Sequence, residues 1–322
     1  MNIKKVGLTA LAGSLVAASA YAGEMSVAGS ASLNVEHTNG GAANSGKTFS
    51  MGNQLTFSGS GELDNGLTVS LSFVLDQNDD STLSSGNTKS ENTGTPFDSH
   101  SVTISSDSLG SLKFSGEGGS SATTANDTTA AGDIWDSFDG VTTVHPTGVG
   151  TGDNMMMYTT PAIMDGLSLS ASYLPTGSAA LSAMGYAATY TGVEGLSVTF
   201  ASGDGTSSDA SADVLKASYA YGPVTVAYSN YEYDTTGTTS DDDTTSYKVS
   251  YTVSDEISVS YGSETVERPG KAEDGEYSSI SASYTAGGMT ITAAMQDAEN
   301  MDGTTTETQD RERWALSASF AF

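Results

Sequence analysis

The stretch "SYKVSYTVSDEISVSY" (246–261) decides the fold of this chain. Tyr247, Val249, Tyr251 and Val253 alternate with Ser246, Lys248, Ser250 and Thr252; past Ser254, Asp255 and Glu256, the residues Ile257, Val259 and Tyr261 alternate with Ser258 and Ser260. Successive side chains of a strand point to opposite faces, so this period of two marks strands with two different environments. Three polar residues between the two runs mark a hairpin. One face is apolar and rich in residues that favour strands, and the other is small and polar.

The pattern repeats outward from this hairpin. "LTVSLSFVL" (67–75), "LSLSASY" (167–173), "LSVTF" (196–200), "VTVAY" (224–228), "ISASY" (280–284) and "MTITAAM" (289–295) carry it, as does the terminal "RWALSASFAF" (313–322). Connections alternate in length. Short ones lie at 64–66, 106–110, 161–166, 191–195, 222–223, 254–256 and 286–288, and long polar ones near 37–47, 76–99, 117–152, 175–182, 203–212, 234–244, 267–275 and 298–310. The spacing therefore predicts an up-and-down meander of sixteen strands between Met25 and Phe322.

A soluble sandwich would turn charged residues to water from its second face. Here that face is mostly Ser, Thr, Ala and Gly, small enough to line an enclosed space. An apolar outer face, short turns at one end and long loops at the other predict a transmembrane β-barrel. Tyr190, Tyr221, Tyr251 and Tyr284 precede short turns, and Phe322 ends the last strand at the same level, so these five form one aromatic ring. Tyr173, Phe200, Tyr228 and Tyr261 end strands that run into long loops and form the opposite ring. Two such girdles flanking an apolar band are what the two membrane interfaces select. The chain stops on an aromatic strand because that strand must pair with the first: an open edge in lipid leaves backbone groups unsatisfied.

The start of the chain predicts export. "MNIKK", an apolar run and Ala20-Tyr21-Ala22 read as a signal peptide over 1–22, with the barrel over 23–322. No cysteine occurs, which excludes disulfides and thiol chemistry. Without Lys4 and Lys5, nine basic residues face 39 acidic ones, too few for nucleic-acid binding. His37, His100 and His145 have no metal-ligand spacing, and no nucleophile pairs with a base, so neither a catalytic group nor a cofactor is assigned. The acidic runs Asp79-Asp80, Asp241-Asp242-Asp243 and Glu273-Asp274 could hold Ca²⁺ or Mg²⁺, but such runs are more often simply solvated.

With "QLTFSGSGELDNGLTVSLSF" (54–73), "LGSLKFSGE" (109–117), "NMMMYTTPAIMDGLSLSASY" (154–173) and the final "FAF", the chain resembles the Gram-negative general porins, sixteen-stranded trimeric barrels of the outer membrane. That resemblance implies passive diffusion of small hydrophilic solutes and a homotrimer in lipid and lipopolysaccharide. It also implies a C-terminal Phe322 read by the barrel-assembly machinery. It implies further that the third loop, 117–152, folds into the barrel as a constriction carrying Glu117, Asp127, Asp133, Asp136 and Asp139, with Trp135 and Phe138 as anchors. Lys113, Lys216, Lys248 and Arg313 are out of phase with the apolar positions and face the lumen. The wall departs from the family at Gly116-Glu117, where Gly-Arg is common, and at Met157, where arginine often precedes the tyrosine. An acidic loop facing a wall poor in arginine predicts a cation-selective pore. The competing reading is an adhesin or structural barrel with a plugged lumen. A weaker one is an outer-membrane hydrolase.

Overall fold

A computed structural model of the chain describes residues 23, 25–40, 46–77, 97–138, 149–150, 152–176, 182–206, 209–235, 241–301, 303 and 310–322. The segment expected to be a signal peptide, together with Asp79, Asp80, Asp139 and His145, lies outside these residues. The strands of the first half are β1 (Met25–Asn39), β2 (Gly46–Glu62), β3 (Thr68–Gln77), β4 (Phe97–Ser106), β5 (Gly110–Glu117), β6 (Met155–Thr159), β7 (Leu167–Leu174) and β8 (Ala183–Tyr190). Those of the second half are β9 (Leu196–Asp204), β10 (Ser211–Tyr221), β11 (Val224–Asp234), β12 (Asp242–Thr252), β13 (Ile257–Glu267), β14 (Gly275–Ala286), β15 (Met289–Glu299) and β16 (Arg311–Ala321). Every strand pairs with its sequence neighbours, and β1 closes on β16 into a barrel of sixteen antiparallel strands, as the alternation predicts.

Phe322 takes part in the closure. Gly29 N–H donates to Phe322 O (2.7 Å) and Phe322 N–H donates to Gly29 O (2.9 Å), so the seam is bonded down to the final residue. Each of those groups would cost several kcal/mol if left unpaired in hydrocarbon. A Cβ at Gly29 would overlap the Phe322 ring, so the glycine makes room for the aromatic side chain at the seam.

Alternate residues face out and in. In β12, Tyr247, Val249 and Tyr251 are exposed on the lipid side, whereas Thr244 and Ser246 are fully covered on the lumen side. Of the five residues expected in the lower ring, Tyr221, Tyr251, Tyr284 and Phe322 are exposed near the short turns, whereas Tyr190 is half-buried. The upper ring differs. Tyr173 lies one residue from the end of β7, but Tyr228 and Tyr261 lie six residues before the ends of β11 and β13. Beyond them the outward positions are Asn230, Glu232 and Asp234 on one strand and Ser263, Thr265 and Glu267 on the other. Hydrogen bonding continues past the apolar band because a ladder needs no lipid, so the strands extend above the ring as a polar rim.

The buried core lies inside the barrel, between the β5–β6 connection and the wall from β7 to β15. Ala122 and Val149 of the connection pack with Ala187, Ala201, Ala212, Val214 and Tyr231. Ile134 and Phe138 pack with Val266, Tyr277, Ala298 and Met301. Small wall residues make that approach possible: a Cβ at Gly262 would sit 2.8 Å from the Ala131 Cβ.

Candidate functional site

The inward connection begins one residue later than the sequence predicts, because Glu117 still belongs to β5. Its base is cross-linked twice. Gly119 and Gly152 exchange backbone hydrogen bonds of 3.1 Å, and Val149 O accepts from the hydroxyls of Ser121 (2.6 Å) and Thr124 (2.8 Å). Ala122 N–H then donates to Ser172 Oγ on β7 (2.9 Å).

Further along, the loop lies on a row of lumen-facing side chains. Lys216, Ser229, Ser246 and Glu264 are direct cross-strand partners on β10, β11, β12 and β13. Ala130 N–H donates to Ser229 Oγ (2.8 Å), Ala131 N–H to Ser246 Oγ (2.9 Å) and Trp135 N–H to Glu264 Oε2 (3.1 Å). The Thr129 hydroxyl donates to Glu264 Oε1 and accepts from the N–H groups of Gly132 (3.1 Å) and Asp133 (2.8 Å). Asp133 sits in the left-handed region at φ 55°, which an aspartate tolerates when its side chain bonds locally; here Oδ1 takes the Thr129 N–H at 2.9 Å. Phe138 meets Tyr277 with ring centroids 6.1 Å apart, and Trp135 packs partly buried beside it.

The electrostatics follow from this seat. Burial and the neighbouring Asp133 carboxylate push Asp127 up to about 6, against the opposing pull of backbone hydrogen bonds and of Lys216 on the wall. Asp127, Asp133 and Lys216 are therefore one coupled group. Asp136, on the same segment, is exposed.

Other sequence-predicted wall residues separate into different roles. Lys113 pairs in register with Met157 between β5 and β6. Lys248 stands between Ala227 and Gly262 in the β11–β13 ladder. Arg313 is not a free cation: it is ion-paired with Glu36 on β1 and donates to Gln296, while Thr48 also donates to Glu36 at 3.0 Å. Gln296 in turn donates to Ser137 of the loop at 3.2 Å. Glu117 departs from expectation. The β4–β5 register shifts at His100, so Glu117 is its partner in the ladder, and the two side chains lie 3.8 Å apart. Its carboxylate thus lies at the strand end beside His100, away from the row that seats Asp127 and Asp133. Among the described residues no group of three or more His, Asp or Glu side chains is arranged to hold a metal ion.

Sequence reasoning missed Glu264, Ser229, Ser246, Gln296 and Glu36. A signal existed for Glu264, a carboxylate at a lumen-phase position between Gly262 and Val266. Nothing local says that a loop 135 residues earlier would reach it.

A family model described as Gram-negative porin matches residues 7–274. Among solved structures, a mutant of the Rh. blastica porin superposes with a TM-score of 0.69 at 16% identity, covering 93% of this chain and 100% of that one. An anion-selective porin from Comamonas acidovorans superposes with a TM-score of 0.70 at 13% identity, covering 93% and 99%. No curated protein matched in sequence.

Proposed function

Because the chain belongs to the Gram-negative porin family, we propose that it is a diffusion channel whose inward loop forms a constriction passing small hydrophilic solutes and preferring cations. Its place is the outer membrane of a Gram-negative bacterium. The Comamonas porin is described as anion-selective on the same fold, so side chains rather than architecture must choose the sign. The observation that carries the cation reading is the balance at the loop. Asp127 and Asp133 are opposed by Lys216, Asp136 is exposed beside them, and Arg313 is neutralised by Glu36. Lys113 and Lys248 also stand on the lumen wall, but the lumen-phase positions of β2 and β4 add no cation, with Thr48, Ser50, Gln54, Thr56 and Ser58 among those of β2 and Ser99, Ser101, Thr103 and Ser105 on β4. Carboxylates in a narrow passage facing hydroxyls favour cations over anions.

The outer surface supports a homotrimer formed through β1–β5. Every tyrosine except Tyr21 lies beyond residue 157, so this sector lacks the residue that marks lipid interfaces elsewhere on the barrel. It exposes Val27, Leu33, Val35, Phe49, Met51 and Leu71 instead. The remaining sectors carry the girdles and face lipid and lipopolysaccharide, and the Phe322 strand is the one offered to the assembly machinery.

Reconstitution in a planar bilayer tests the reading. Discrete conductance steps with a cation-selective reversal potential in a KCl gradient are expected. Inserted protein that conducts nothing would favour the plugged barrel. Mass measurement in detergent should give three copies, and a stable monomer would contradict the β1–β5 interface.

A further inference from the structure

We infer that Glu264 is the latch that holds the inward loop against the barrel wall and, by fixing Asp127 and Asp133 opposite Lys216, sets the bore and charge of the constriction. This rests on the constriction reading above.

Glu264 is fully covered, with 0% relative exposure, although it stands on the lumen face of a barrel. A buried carboxylate is tolerable only when donors surround it. Here the donors come from the loop: the Thr129 hydroxyl on Oε1 and the Trp135 N–H on Oε2, with the Ile134 N–H beside it. The carboxylate is therefore satisfied in this geometry only while the loop is docked. Ser229 and Ser246 are weaker posts on the same row, each taking one N–H at 2.8 and 2.9 Å. The row carries the loop from Lys216 to Glu264 across three strand spacings, about 14 Å. Glu264 ends it with both carboxyl oxygens engaged, Oε1 by the Thr129 hydroxyl and Oε2 by the Trp135 N–H at 3.1 Å.

The latch also shapes the charges. Thr129 is a hub: its hydroxyl donates to Glu264 while accepting from Gly132 and Asp133, and its N–H is held by the Asp133 carboxylate. Releasing Thr129 from Glu264 frees the turn that places Asp133, and with it the Asp127 pair, in front of Lys216. Glu264 is accordingly a positioning residue that acts on permeant ions through the loop.

Glu264→Gln keeps size and removes one acceptor, setting an amide N–H₂ against loop donors. The docked-to-undocked ratio should fall roughly five- to a hundredfold, the factor carried by a buried donor left without its acceptor. The chain has two tryptophans, and Trp314 faces lipid. In a Trp314→Phe background, acrylamide quenching of Trp135 in the folded, detergent-solubilised porin reads docking directly. Heat-modifiable mobility shows whether the barrel is intact, and general destabilisation would change that mobility together with the quenching. The expected result is stronger quenching in Glu264→Gln, with single channels that are larger, noisier and less cation-selective. Thr129→Val removes the same bond from the loop side, along with the acceptor of the Gly132 and Asp133 N–H groups, and should act in the same direction, which keeps the test open if the wall variant fails to assemble. Unchanged quenching in a folded variant overturns the latch. Release of Trp135 with unaltered conductance and selectivity leaves the latch standing and overturns the constriction reading.

Discussion

If the inward loop is the cation-preferring constriction proposed above, lowering the pH from 7 to 5 should strip much of that preference through Asp127. Burial and Asp133 raise its carboxyl to about 6, so it is charged above that pH and neutral below it. The ionised fraction of such a group falls from ~0.9 at pH 7 to ~0.1 at pH 5, which removes nearly a full negative charge from the loop. Solvated carboxylates on the external loops behave differently: with ordinary values near 4 they remain more than ~80% ionised at pH 5. The stability sign is the reverse of the usual aspartate. Because the folded value lies above the unfolded one, ionised Asp127 opposes the docked loop at neutral pH, and that opposition disappears as pH falls through about 6 towards 3.8. The loop should thus stay seated while selectivity declines. The assay is reversal potential in a fixed KCl gradient at half-unit steps between pH 7.5 and 4.5. Wild type should show a midpoint near 6, and Asp127→Asn should start lower and show no such step. A flat wild-type profile, or a step that persists in Asp127→Asn, refutes the placement of Asp127 at the ion path.

Other substitutions test other parts. Gly29→Val forces a side chain into the Phe322 ring and Phe322→Asp puts a charge at the lipid-level seam, so both should reduce the yield of heat-modifiable barrel in outer-membrane fractions. Met157→Arg places a cation beside Lys113 on the lumen side and should move the reversal potential toward anions. Glu117→Arg at the His100 bulge should do so less, and neutralising Asp241, Asp242 and Asp243 together should do little. Phe138→Ala opens a cavity against Tyr277 worth about 3–5 kcal/mol of packing. It should raise channel noise while leaving the barrel's heat-modifiable mobility unchanged, because its partners lie between loop and wall.

What could be read in the sequence is what depends on near neighbours. The alternation of 246–261 fixed strand, face and turn within sixteen residues, and repeating it gave the strand count and the seam at Phe322. Apolarity placed the girdles but not the strand ends, because β11 and β13 continue past Tyr228 and Tyr261 on backbone bonds that need no apolar side chain. The candidate site was legible in part. Lumen phase could be read for Lys216, Lys248 and Arg313, since phase is local. Charge was not: Arg313 is cancelled by Glu36 at the opposite end of the chain, and one extra residue at the β4–β5 bulge carries Glu117 to His100. Glu264 went unread because its meaning lies in a contact with Thr129, across a barrel that closes only in three dimensions.

The central claim is that charge held at the inward loop, and not the acidity of the external loops, selects the ion. Reversal potential across a bilayer with 1 M KCl on the dilute side tests it most directly, because at that salt the Debye length is about 3 Å and external charge is screened. A clear cation preference that survives at 1 M, and is lost when Asp127 and Asp133 are both changed to Asn, is the predicted result. A preference present at 0.1 M but abolished at 1 M in the wild type would contradict the account.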